Sequence, residues 1–164
     1  MKKPTVSFKN IQVYVTSPKL KKIDLAGSGL FAASDGVGGF DELDVEIAGS
    51  GQVLLTSVTC LTSKLEIAGS GNIEIGVIKA NEVKAEIAGS GNINVGTMNC
   101  KEFKTEITGS GDVNRDNIDV DNARCEIAGS GNVNLKGTVR NHTKEIAGSG
   151  KVNIIETPSA DSIQ

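Results

Sequence analysis

The chain has 164 residues and a formal net charge of −3, with 17 Lys and Arg set against 20 Asp and Glu, and its basic residues are scattered. That balance excludes the basic footprint of a nucleic-acid-binding domain, and no apolar run is long enough to cross a bilayer as a helix. The aromatics are only Phe8, Tyr14, Phe31, Phe40 and Phe103, so a core must be built from Ile, Val, Leu and Ala; the length fits a single domain, 1–164.

Residues 1–9 read as an N-terminal cap segment. Met1-Lys2-Lys3 has the charge of a signal peptide, but Pro4–Tyr14 alternates polar and apolar residues instead of forming an apolar segment, so no targeting signal is read. Residues 6–15 (VSFKNIQVYV) alternate with period two, as a half-buried strand does. From residue 10 to 155 the chain repeats itself. Glu-Ile-Ala-Gly-Ser-Gly stands whole at 46–51, 66–71, 86–91, 126–131 and 145–150, with near-copies at 24–29 and 106–111. The Gly-Ser-Gly triplets start at residues 27, 49, 69, 89, 109, 129 and 148, in steps of 22, 20, 20, 20, 20 and 19. A period near 20 is the mark of a solenoid.

Residues 71–91 serve as the type repeat. Ile73 and Ile75, then Ile78 and Ala80, then Val83, Ala85 and Ile87 alternate with polar residues. This predicts three short strands per turn, separated by Gly76, by Asn81-Glu82 and by Gly89-Ser90-Gly91. The helical spacing of three and four is missing, as are the leucine-rich pattern and the nine-residue calcium repeat. The reading is all-β: a single-stranded parallel β-helix of about eight rungs, the first and last incomplete, followed by a C-terminal tail over 156–164. One coil of this length cannot enclose its own apolar side chains. Stacked at about 4.8 Å per rung, eight coils form a rod roughly 35–40 Å long with a continuous core. The triplets are then corners, with glycine used for positive φ and close backbone approach and the serines stacking as a hydroxyl ladder. A phosphate-cradling role is excluded, because each triplet leads into a strand and lacks a helix N-terminus.

Two stretches depart from the repeat. Residues 30–41 (LFAASDGVGGFD) carry the two extra residues of the 22-step and predict a bulging loop, while 112–124 carry Asp112, Asp116, Asp119 and Asp121 beside Arg115. The inward register over 136–144 is left open, because the 19-step loses a residue there.

Stacking also lines up polar columns. Glu46, Glu66, Glu86, Glu106, Glu126 and Glu145 would repel one another by roughly 1 kcal/mol per pair in water. Lys22, Lys64, Lys84, Lys104 and Arg124, two residues earlier on the same outward face, offset them. The alternative, a column of divalent cations on oxygen ligands, is set below this structural reading, and no metal or cofactor is expected. Asn72, Asn92 and Asn132 with Asp112, and Asn94, Asn114, Asn134 and Asn153, predict amide ladders. Cys60 and Cys100 lie two rungs apart, about 9–10 Å, beyond disulfide reach; with Cys125 they read as small core residues, and no zinc spacing is present. His142 sits in the irregular last loop with no nucleophile beside it, so no catalytic residue is assigned. Asp112, Asp116, Asp119 and Asp121 are the candidate ligand-binding residues, set against a solvated turn.

The run Tyr14-Val15-Thr16-Ser17-Pro18-Lys19-Leu20-Lys21-Lys22-Ile23, leading into Leu25-Ala26-Gly27-Ser28-Gly29, resembles the head (GIN) domain of auto-transporter adhesins. There a Pro-x-Leu-x-x-Ile approach precedes tandem Gly-Ser-Gly turns, and the similarity covers roughly residues 10–155. The resemblance implies a right-handed coil, a bacterial cell-envelope or extracellular location, and a non-catalytic module for adhesin-like binding or scaffolding. A glycan or a host-matrix protein is the implied partner. The alternative is a polysaccharide lyase or hydrolase, which needs a deep groove beside 30–41 or 112–121. A third reading is a structural rod that associates with itself through uncovered end strands as a homo-oligomer.

Overall fold

The computed structural model describes residues 20–157. The cap segment 1–9, the strand read over 6–15 and the tail residues 158–164 lie outside them, as does most of the first, incomplete rung. Ten strands follow in chain order: β1 (Lys22–Gly27), β2 (Leu30–Ala33), β3 (Val37–Gly49), β4 (Gln52–Gly69), β5 (Asn72–Lys79), β6 (Glu82–Gly89), β7 (Asn92–Gly109), β8 (Asp112–Gly129), β9 (Asn132–Gly148) and β10 (Lys151–Glu156). Every pairing is parallel, no helix occurs among the described residues, and the strands stack as a β-solenoid of about seven turns.

The ladder between β7 and β8 shows the shape of one turn. Pairing runs Asn92–Val95 with Asp112–Arg115, then Thr97–Cys100 with Asn117–Val120, then Glu102–Gly109 with Asn122–Gly129. It skips Gly96 and Asp116, and again Lys101 and Asp121. These are two corners, and Gly-Ser-Gly is the third. Each turn is therefore three-sided, with the sides where alternation places them. Inside, Ile47, Ile67, Ile87, Ile107 and Ile127 stack in register, all nearly or wholly inaccessible to solvent. Each turn thus encloses the apolar residues of its neighbours, which one turn alone could not do.

The two glycines of a triplet serve different needs. Gly89 has φ +132, and a Cβ there would stand 2.3 Å from the Gly69 carbonyl oxygen of the turn below. Gly91 has ordinary φ, but its Cβ would meet the Gly71 oxygen at 2.5 Å and Ile67 Cγ2 at 2.6 Å. The serines stack as expected but stay exposed. What links them is backbone: the Ser70, Ser90 and Ser110 N–H groups donate to Gly49, Gly69 and Gly89 carbonyls at 2.9 Å. The ladder is one of main-chain bonds, not of hydroxyls.

The expected loop over 30–41 is smaller than its composition suggests. The pairing offset is 22 at Ala33↔Leu55 (55 − 33), 21 at Val37↔Val58 (58 − 37) and 20 at Phe40↔Cys60 (60 − 40). One extra residue is taken up in the bend at 34–36, and the other in a β-bulge at Gly39, with φ +83. Nor do residues 112–124 interrupt the coil: β8 keeps the 20-residue offset to β7 throughout. The lost residue of the 19-step falls one turn later, between Arg115↔Leu135 and Ile118↔Gly137. Beyond it β9 continues in register through His142, which belongs to the strand and not to a loop.

Candidate functional site

The outer faces are lined by the columns that the repeat predicts. Asn92 Nδ2 donates to Asn72 Oδ1 at 3.1 Å, and Asn132 Nδ2 to Asp112 Oδ1 at 2.9 Å. Asn114, Asn134 and Asn153 each donate to the Asn one turn below, at 3.0, 2.8 and 2.8 Å. On side three, Lys64 bonds Glu66 at 2.7 Å, Lys84 bonds Glu86, and Arg124 reaches both Glu126 and Glu145. The Lys84 ammonium, bonded to Glu86, holds that carboxyl below its ordinary range. Among the described residues no three His, Cys, Asp or Glu side chains stand close enough together to hold a metal ion.

The four aspartates are not brought together. Asp112 belongs to the Asn ladder, where its carboxylate accepts from both the backbone and the side chain of Asn132 at 2.9 Å. Asp119 and Asp121 lie on side two and its far corner, and Arg140 of the next turn bridges them at 2.7 and 3.0 Å. Asp116 stands alone at the corner between sides one and two. All four lie on β8, not between strands.

Asp116 does line a depression. This groove, about 650 Å³, runs along the solenoid axis at the first corner and is walled by Glu74, Asn94, Asn114 and Asp116. Its floor includes Gly76 and Gly96, and its far end is Ala32-Ala33-Ser34. The groove crosses five turns because glycine removes the corner side chain in two of them. At these glycines a Cβ would meet the carbonyl oxygen below, at 2.5 Å for Gly76 and 2.8 Å for Gly96. Its two ends lie in the two stretches that depart from the repeat. A second track on side three pairs the Glu column with an outward column of exposed Ala68, Ala88 and Thr108, and holds a hollow of about 220 Å³.

Two features escaped the sequence reading. Arg115 points inward, in the column of Leu55, Ile75, Val95 and Leu135, and is 2% exposed. Parity would have placed it, since Val113 and Arg115 repeat Ile93 and Val95. Its Nη1 donates to the Ile93 and Asn114 carbonyls at 3.1 and 3.2 Å, while Nε and Nη2 have no partner. The guanidinium lies 5.4 Å from the Phe103 ring centroid, and burial lowers its pKa to about 9. The thiols Cys60, Cys100 and Cys125 are free and buried; burial pushes Cys100 up to about 12 and Cys125 up to about 11, so they are poor nucleophiles at neutral pH. The second feature is the last turn, where His142 and Lys144 take inward positions over Ala123 and Cys125.

A family model described as "Putative auto-transporter adhesin, head GIN domain" matches residues 1–114 and again 95–162. No curated protein and no solved structure matches the chain.

Proposed function

Since the chain belongs to the auto-transporter adhesin head GIN domain family, we propose that it is a non-catalytic binding module of the bacterial cell surface, and that the first-corner groove receives a glycan chain laid along the solenoid axis. The observation that carries this is the groove itself. Its polar side chains Glu74, Asn94 and Asn114 stand in one column, one per turn, at a spacing of about 4.8 Å. A linear polymer of hydroxyl-bearing units is the ligand that such a repeat suits. Carboxylates and amides accept and donate to hydroxyls. Among the described residues no aromatic side chain lines the groove, so there affinity rests on hydrogen bonds summed over turns rather than on stacking. The surface location rests on the family alone.

A glycan and host-matrix protein array probed with the full chain and with the E74Q/D116N variant tests the reading. Binding to one glycan class, weakened about tenfold or more in the variant, supports it. Binding to matrix proteins alone moves the partner to protein. Silence across the array favours a structural rod, and shortening of arrayed glycans after incubation would reinstate the polysaccharide-acting enzyme.

A further inference from the structure

The inward columns of side three are apolar or small until the last turn. One runs Leu43, Ser63, Val83, Phe103, Ala123 and then His142; the next runs Val45, Leu65, Ala85, Thr105, Cys125 and then Lys144. The strand β10 pairs only with Asn132–Gly137 of β9. Among the described residues nothing therefore covers 141–148 on the far side. Ile146 shows the consequence: it continues the isoleucine stack yet is 44% exposed, against 3% for Ile127 beneath it. An uncovered parallel strand with an apolar column behind it is a template for a second chain.

We infer that His142 and Lys144 form a polar stop on this end of the solenoid, which prevents a second copy of the chain from stacking there. A copy docked on the β9 edge would gain main-chain bonds along 141–148, but it would have to bury the Lys144 ammonium against its own core column. Burying an unpaired charge costs more than such edge bonds return. The neighbouring carboxylate does not relieve this, since Glu145 points outward to Arg124 at 3.4 Å. A copy related by a two-fold axis would add its own Lys144, and like charges would face each other. Charged residues placed inward at a sheet edge are a known means of blocking edge-to-edge growth. On this inference a homo-oligomer would not form through this end.

Sedimentation velocity across about a hundredfold range of concentration tests the stop, with the full chain and three variants. In H142V/K144V the two columns end in hydrocarbon, and species of at least twice the wild-type mass are expected to grow with concentration. The H142D/K144E variant places a negative charge at both sites and should match wild type, as should T143V on the outer face. Circular dichroism checks that each retains its strand content. All three sites are exposed, so the fold does not depend on them; should the double valine variant still misfold, K144V alone carries the test at smaller amplitude. Valine variants that stay at the wild-type mass throughout overturn the inference, and so does association of H142D/K144E.

Discussion

Replacing Arg115 by Met should make this protein more stable. Arg115 is charged at pH 7, because burial leaves its pKa near 9, and no anionic group bonds it. A depression from the ordinary arginine range to about 9 corresponds to a cost of about 5 kcal/mol in the folded state. Against this, R115M gives up the two bonds to the Ile93 and Asn114 carbonyls and the contact with the Phe103 face, about 2–3 kcal/mol together. Methionine keeps the unbranched stem in a column otherwise filled by Leu55, Ile75, Val95 and Leu135. The net gain is about 2–3 kcal/mol, in the range seen when buried ions give way to packed apolar side chains. For a chain of this size that raises the thermal midpoint by about 4–12 °C. Urea unfolding at pH 7, followed by far-UV circular dichroism, reads the same change as a shift in midpoint at constant slope. The pH dependence gives a second test. The folded pKa lies below the unfolded one, so above about pH 9 the unfolded wild type binds more protons and wild-type stability rises with pH relative to R115M. The advantage of R115M should therefore shrink as pH rises through about 9. A variant less stable than wild type at pH 7 would refute the reasoning and show that the guanidinium has a compensating anion.

The triplet corner and the bulge give contrasting glycine variants. Gly89→Ala forces a Cβ to 2.3 Å from the Gly69 oxygen at φ +132 and should cost at least about 3 kcal/mol, strain and displaced backbone together. Gly39→Ala, at φ +83 with nothing within 4 Å, should cost only about 1–2 kcal/mol, the left-handed penalty alone; equal midpoints for the two would disprove the close-approach argument. Glu86 has a folded pKa depressed first by its hydrogen bond from Lys84, so it contributes stability above its unfolded pKa that is lost as pH falls through the folded value. E86Q should therefore flatten the acid limb of the stability curve below about pH 4.5, with little change at pH 7; an acid limb identical to wild type would show that the ion pair contributes nothing.

Much of the fold is legible without coordinates because a β-solenoid turns one-dimensional regularity into three-dimensional contact. Seven triplets at near-constant spacing specify the turn length, and period-two alternation specifies which residues face in. Register then follows, so Asn94, Asn114 and Asn134 had to stack. The same logic extends to Arg115, whose parity is that of Val95, but a charge among four aspartates reads as surface. The extra residues of 30–41 could be counted but not placed, because a bend and a one-residue bulge have the same composition as a loop. The groove was legible only as two irregular stretches 80 residues apart. Their meeting at one corner depends on Gly76 and Gly96 between them, whose missing side chains open the channel.

The sequence by itself therefore determines the architecture: parallel strands, three sides, about 20 residues per turn, and the identity of each ladder. These follow from periodicity, which is a property of the chain alone. What only the tertiary structure decided depends on what lies above and below a residue. Asp112 became a ladder member, Asp119 and Asp121 partners of Arg140, and Asp116 a groove wall, although all four looked alike in sequence. His142 and Lys144 acquired a role because no described strand covers them, and the close approach expected at the triplet glycines acquired its partner, a carbonyl 2.2–2.5 Å from the absent Cβ at Gly49, Gly69, Gly89, Gly109, Gly129 and Gly148. Neighbours one turn away, some 20 residues off in sequence, set these environments.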